Sequence, residues 1–131
     1  MIMVPFFFRS HRIEHDLSMS VGLQDTHTGV PLPGILSVTV INFSPEGACL
    51  ILPNLAISGK HLFFSTLNSD SYNLVLYSKD QEGIDEEFMI TAKSIWMDSC
   101  EHQDKPAFKI GIHFLRNQKN LFQQLQKILT P

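Results

Sequence analysis

A chain of 131 residues suffices for one hydrophobic core, and 44% hydrophobic with 18% charged residues excludes an intrinsically disordered protein. A formal charge of −3 and a pI near 6.0 exclude a general binder of nucleic acid polymers, so any anionic ligand must be caught by a few placed cations. Cys49 and Cys100, far apart and in no C-x-x-C, make neither a disulfide framework nor a zinc pattern; reduced thiols in a cytoplasmic protein are the expectation.

The N-terminal "MIMVPFFF" is apolar, lacks the basic start and small-residue cleavage site of a signal peptide, and is too short to span a bilayer. Three phenylalanines are not expected to stay in water. The segment therefore either caps the core or meets a partner protein or a second copy of the chain. From residue 13 the period is 2: Ile13, His15, Leu17, Met19, Val21 and Leu23 alternate with polar or small residues, which predicts a half-buried strand over 13–23. "QDTHTGVPLPG" follows as a loop. Residues 35–42 are rich in β-branched residues and predict a second strand. After "NFSPEG" comes a short strand, 48–52, ended by Pro53.

Residues 60–67 and 72–78 flank "NSDS" and predict a hairpin. "KDQEGIDEE" reads as a solvated acidic loop. Beyond it Phe88, Ile90, Ala92, Ser94 and Trp96 share one face of a longer strand, with Trp96 expected in the core. Residues 107–114 alternate again. The period then lengthens: Leu121, Phe122, Leu125, Ile128 and Leu129 form one apolar stripe, predicting a helix over 118–129 with Asn117 as its N-cap. Seven short strands and a terminal helix imply an all-β antiparallel barrel or sandwich, with the helix packed on it.

No catalytic constellation stands out. There is no G-x-S-x-G, "SGKH" lacks the rest of a P-loop, and no carboxylates pair clearly. An enzyme is therefore not expected. His11 and His15 are spaced for a metal only on a helix, and they fall at a strand start without a third ligand, so no metal is expected either.

Pairing the first two strands as a hairpin gives a register in which paired residue numbers total about 57, so residue 12 falls near residue 45. "RSHR" (9–12) then lies beside "NFSPEG" (42–47). Arg9 and Arg12 carry planar forks that suit a phosphate or a guanine edge. Asn42 offers an amide, Ser44 a hydroxyl, and Gly47 either a close backbone approach or a positive φ. Tight-turn chemistry alone also explains "NFSPEG".

These residues resemble the PilZ family, bacterial receptor domains for the second messenger cyclic di-GMP. The family pattern is R-x-x-x-R before the first strand and [D/N]-x-S-x-x-G after the second. "NFSPEG" matches the second at Asn42, Ser44 and Gly47, and "ACLILP", "AKSIWMD" and "KIGIHF" are similar to the family's later strands. The resemblance implies one PilZ-like domain over 1–131: an arginine segment (1–12), a six- or seven-stranded antiparallel β-barrel (13–114) and a C-terminal helix (117–129). It also implies a non-catalytic signalling protein binding cyclic di-GMP through Arg9, Arg12, Asn42, Ser44 and Gly47. Two departures stand out. The arginines of "RSHR" are one residue too close, which points instead to an adaptor without nucleotide, acting through protein contacts. Residues 60–87 are longer than the family's usual strand and turn, so an extra strand or hairpin is expected there.

Overall fold

A computed structural model describes residues 12–129. Among the described residues eight strands and two helices occur in order: β1 (Leu17–Asp25), β2 (Leu36–Ile41), β3 (Gly47–Leu52), β4 (Ala56–Ile57), β5 (Lys60–His61), α1 (Leu62–Thr66), β6 (Tyr72–Tyr77), β7 (Met89–His102), β8 (Lys105–Phe114) and α2 (Lys119–Leu129). Six of the strands close into an antiparallel barrel in the order β1-β2-β3-β8-β7-β6. Closure gives every barrel strand a partner on both sides, which removes the open edges that invite aggregation.

The alternation in the sequence places the core. Leu17, Met19, Val21 and Leu23 of β1 are buried, and they face Val38, Val40, Leu50, Leu74, Ile90, Ile110 and Ile112 from the other strands. The first hairpin has the expected register, with Leu17 paired to Val40. The strand itself starts later than the alternation suggests. Glu14, His15 and Asp16 are exposed and interrupt the ladder. Ile13 rejoins it through a bridge to Phe43, with N–H···O distances of 2.6 and 3.0 Å.

The predicted hairpin of 60–67 with 72–78 does not form. Residues 62–66 are helical, and Leu62, Phe63 and Thr66 turn their side chains inward at helical spacing. His61 caps the helix, its Nδ1 accepting from Phe64 N at 3.2 Å, and Thr66 Oγ1 meets Ser94 Oγ at 2.6 Å on β7. The extra length expected in 60–87 is therefore this helix and a loop, preceded by the two-residue ladder of β4 and β5. The acidic loop is largely exposed, but it folds back on β1. Asp80 accepts from Ser20 Oγ, and Gln81 Oε1 accepts from Ser18 N at 2.9 Å.

Trp96 is not in the core. The β7–β8 register shifts between Ser94 and Trp96, a bulge that inserts one residue and reverses which side chains face inward. Ser94 remains buried, Met97 packs against the core, and Trp96 turns outward with 44% of its surface exposed.

The terminal helix forms over the predicted range, but of its predicted stripe only Leu121, Phe122 and Leu125 are buried, while Ile128 is exposed. Asn117 lies one residue before the N-cap position expected of it: Gln118 O accepts the first helical bond, from Phe122 N at 3.0 Å, while Asn117 Oδ1 accepts from Lys119 N at 3.0 Å. Leu121, Phe122 and Leu125 join the buried cluster that holds Ile13, Phe43 and Phe114. Too short to be stable alone, the helix is held by this apolar stripe against the barrel. No helix among the described residues is long and apolar enough to cross a membrane.

Candidate functional site

The turn between β2 and β3 is anchored at its centre by Phe43, which is fully buried and lies 5.3 Å from the Phe114 ring. With residue 43 turned inward, its chain neighbours Asn42 and Ser44 turn outward. The Ile13–Phe43 bridge sets Arg12 opposite Ser44, one residue from the position the hairpin register implies. The turn is also tied to the C-terminal part of the chain. Glu46 O accepts from Phe114 N and Pro45 O accepts from Gln118 N, both at 2.8 Å. The end of β8 and the start of α2 thus fix the turn's height above the barrel.

Within the turn, Ser44 N donates to Gly47 O at 2.9 Å, and the Ser44 hydroxyl donates to the same carbonyl at 3.2 Å while accepting from Glu46 N and Gly47 N at 3.3 Å each. A hydroxyl has one donor and two acceptor positions, so these bonds occupy all three. Asn42 takes φ +54°, a left-handed conformation that asparagine tolerates better than most residues. Its side-chain amide makes no hydrogen bond among the described residues. Gly47 has no positive φ. It is needed for a close approach: a β-carbon there would lie 2.3 Å from the Ile112 carbonyl oxygen on β8.

Arg12, Asn42, Ser44 and Gly47 line one cavity of about 360 Å³ on the outer face of the barrel. The Arg12 Nε is buried with no hydrogen-bond partner among the described residues. Of the residues expected at the site, the structure brings together all but Arg9, which lies outside the described residues. So do His11 and the apolar segment 1–8. Among the described residues no group of three or more His, Cys, Asp or Glu is placed to hold a metal ion.

The cavity also holds side chains that sequence reasoning placed elsewhere or passed over: Glu46, Cys49, Trp96 and His113. Gly111 pairs with Cys49 on one side and Trp96 on the other. The indole lies across Gly111, where a β-carbon would be 2.1 Å from its Nε1. "KIGIHF" carried that signal, since a lone glycine within a strand marks a place where another group approaches closely. Cys49 is buried beside it, and burial pushes its thiol up from 9.0 to about 11, against the opposing charge of Lys109 and with a smaller push from Cys100.

No family model matches the sequence, and no curated protein matches it at a significant level. Two solved structures are similar in shape. The PilZ domain of YcgR from Escherichia coli, solved with c-di-GMP, aligns over 88% of this chain and 86% of its own length, at 11% identity and a TM-score of 0.49. MrkH of K. pneumonia, in its apo state, aligns over 90% of this chain at 13% identity and a TM-score of 0.47, and the chain spans 47% of its length.

The cavity's chemistry suits a flat, anionic, hydrogen-bonding ligand. A guanidinium forks onto a phosphate or a purine edge, an amide reads a donor–acceptor pair, and an indole offers a stacking face.

Proposed function

We propose that this chain is a non-catalytic PilZ-like receptor for cyclic di-GMP in bacterial signalling. The observation that carries the proposal is that Arg12 meets Asn42, Ser44 and Gly47 of the β2–β3 turn, a segment far from it in the sequence, at one outward cavity. In this reading Arg12 forks onto a phosphate or guanine, Asn42 reads a guanine edge, and Trp96 stacks on a base. Ser44 and Gly47 shape the turn that aims them, and Arg9 closes over the ligand from the N-terminal side. Binding in this reading changes the surface that the protein offers to a protein partner or a second copy, with the apolar "MIMVPFFF" next to Arg9 in the sequence as the candidate contact.

Calorimetric titration with cyclic di-GMP tests this. Micromolar binding, weakened about ten- to a hundredfold by Arg12→Ala or Arg9→Ala, is expected for the loss of one bidentate contact. Absence of heat or competition at about 100 μM ligand rejects the receptor.

One observation favours a second reading, a PilZ-like adaptor without nucleotide. The Ser44 hydroxyl is saturated inside its own turn, so the turn is complete with no ligand. A stable dimer or a co-purifying protein, unaffected by the dinucleotide, is the result that reading requires.

A further inference from the structure

We infer that His113 is a binding residue of this cavity and makes its affinity for an anionic ligand rise as pH falls. The inference rests on the receptor reading and names a device within the same site.

The geometry starts from one cross-strand row. His113 of β8 pairs with Gly47 of β3 on one side and Lys93 of β7 on the other. Gly47 has no side chain to cover the imidazole. The Lys93 ammonium is engaged elsewhere, donating to the carbonyl oxygens of Ser69 and of Tyr72, the latter at 2.8 Å. His113 is exposed and lines the cavity with Arg12 and Asn42. Two residues earlier on the same face is Gly111, under the Trp96 indole. Imidazole and indole thus stand as neighbours on the β7–β8 side of the cavity, facing the turn residues.

The charge count decides what the imidazole does. Among the described residues the titratable side chains of the lining are Arg12, Glu46, Cys49 and His113. Cys49 is a neutral thiol at any ordinary pH, because burial raises it. Arg12 is always cationic, and Glu46 opposes it. With a neutral His113 the lining carries no net charge, and with an imidazolium it carries +1. Imidazole is the side chain that ordinarily changes charge between pH 5 and 8.

The groups on the surrounding elements do not remove this dependence. On β7, Lys93 is lowered from its ordinary value, first by burial, but it is tied to its two carbonyls. On β8, Lys109 lies four residues along the outer face, paired with Ile51 and Asp98. Arg116 beyond the strand end and Glu14 and Asp16 beyond Arg12 are exposed and outside the lining. None of these is an imidazole, whereas His15, also exposed, is another and serves as a control.

Titration of the whole chain with cyclic di-GMP at pH 5.5, 6.5, 7.5 and 8.5 tests the inference. Affinity should rise about three- to tenfold from the highest to the lowest pH, as one cation is added to a partly solvated site. His113→Gln should flatten the profile at the weak end and His113→Lys at the tight end, while His15→Gln should leave the slope unchanged. Binding in buffers of different ionisation enthalpy should show net proton uptake that His113→Gln abolishes. Binding that is independent of pH, or a slope retained in His113→Gln, overturns the role of His113 and leaves the receptor standing. No binding at any pH overturns the receptor itself.

Discussion

Trp96 lies flat across Gly111, so closely that a β-carbon on residue 111 would fall 2.1 Å from the indole Nε1 and 2.3 Å from Cε2. The bulge that turns Trp96 out of the core therefore needs a bare backbone on the neighbouring strand to receive it. The expected consequence of Gly111→Ala is that the indole leaves its seat. Overpacking costs about 1–3 kcal/mol, and tryptophan emission should shift to longer wavelength. Trp96→Ala, at a side chain already 44% exposed, should cost less stability than Gly111→Ala. Under the proposed receptor reading its effect falls on binding, where the loss of one stacking face is worth about 1–3 kcal/mol. Thermal unfolding alongside calorimetry separates the two. Equal stability loss in both variants would show that the indole is a structural cover and no ligand platform.

Gly47 makes a different demand. The atom its missing β-carbon would meet is the Ile112 carbonyl oxygen, at 2.3 Å, and that is backbone of a paired strand. Side chains can swing aside, whereas a ladder carbonyl moves only if β3 and β8 part. Gly47→Ala is expected to lower the urea midpoint by an amount equivalent to about 1–3 kcal/mol, whether or not any ligand is present. An unchanged midpoint would mean that β3 pulls away from β8 at that end without cost.

Much of the fold was legible because burial writes period 2 directly into a strand. Leu17, Met19, Val21, Leu23, Ile90, Ala92, Ile110, Ile112 and Phe114 all lie where their alternation puts them. The hairpin register was legible for the same reason, and with it the meeting of Arg12 and the β2–β3 turn. The failures have a common cause: local preference outweighed by tertiary contact. "LFFST" favours a strand by composition, yet Leu62, Phe63 and Thr66 find one buried side as a helical turn, capped by His61. Trp96 extends an inward alternation that the bulge at Ser94 breaks, and a bulge leaves no reliable mark in one sequence. The place of His113 in the cavity depends on Gly47 of β3 lying beside it and on Trp96 of β7 seated over Gly111, which is a fact about three strands rather than one.

Asn42 has a backbone role in the turn and, under the proposed receptor reading, a chemical one, and two substitutions separate them. At φ +54° glycine is at ease, whereas a β-carbon costs roughly 1 kcal/mol. Asn42→Gly should therefore keep the thermal midpoint close to wild type and weaken cyclic di-GMP about tenfold, by loss of the amide alone. Asn42→Ala should lose the same affinity and some stability as well. If Asn42→Gly binds as tightly as wild type, the amide has no part in recognition and the residue serves the turn only.

Cys49 gives the prediction with the clearest sign. It is 6% exposed on the outer side of β3, between Ile41 and Gly111, and burial raises its thiol from 9.0 to about 11. In the unfolded chain the thiol loses its proton near the ordinary value, while the folded protein holds it longer. Rising pH therefore favours the unfolded state. The thiol's contribution to stability is complete below pH 9.0 and is lost as pH climbs to about 11. Tyr77, raised by burial and by Glu87, acts in the same direction, and Lys93, lowered by burial, acts in the opposite one. The measurement is consequently a difference. Urea midpoints of wild type and Cys49→Val, followed from pH 8 to pH 11, should diverge, with the wild type declining more steeply. At pH 8 a thiol reagent should modify the half-buried Cys100 well before Cys49, since only the thiolate attacks. Parallel midpoints together with rapid labelling of Cys49 would show that the outer face of β3 is open to water, and that the Trp96 side of the cavity is no closed wall.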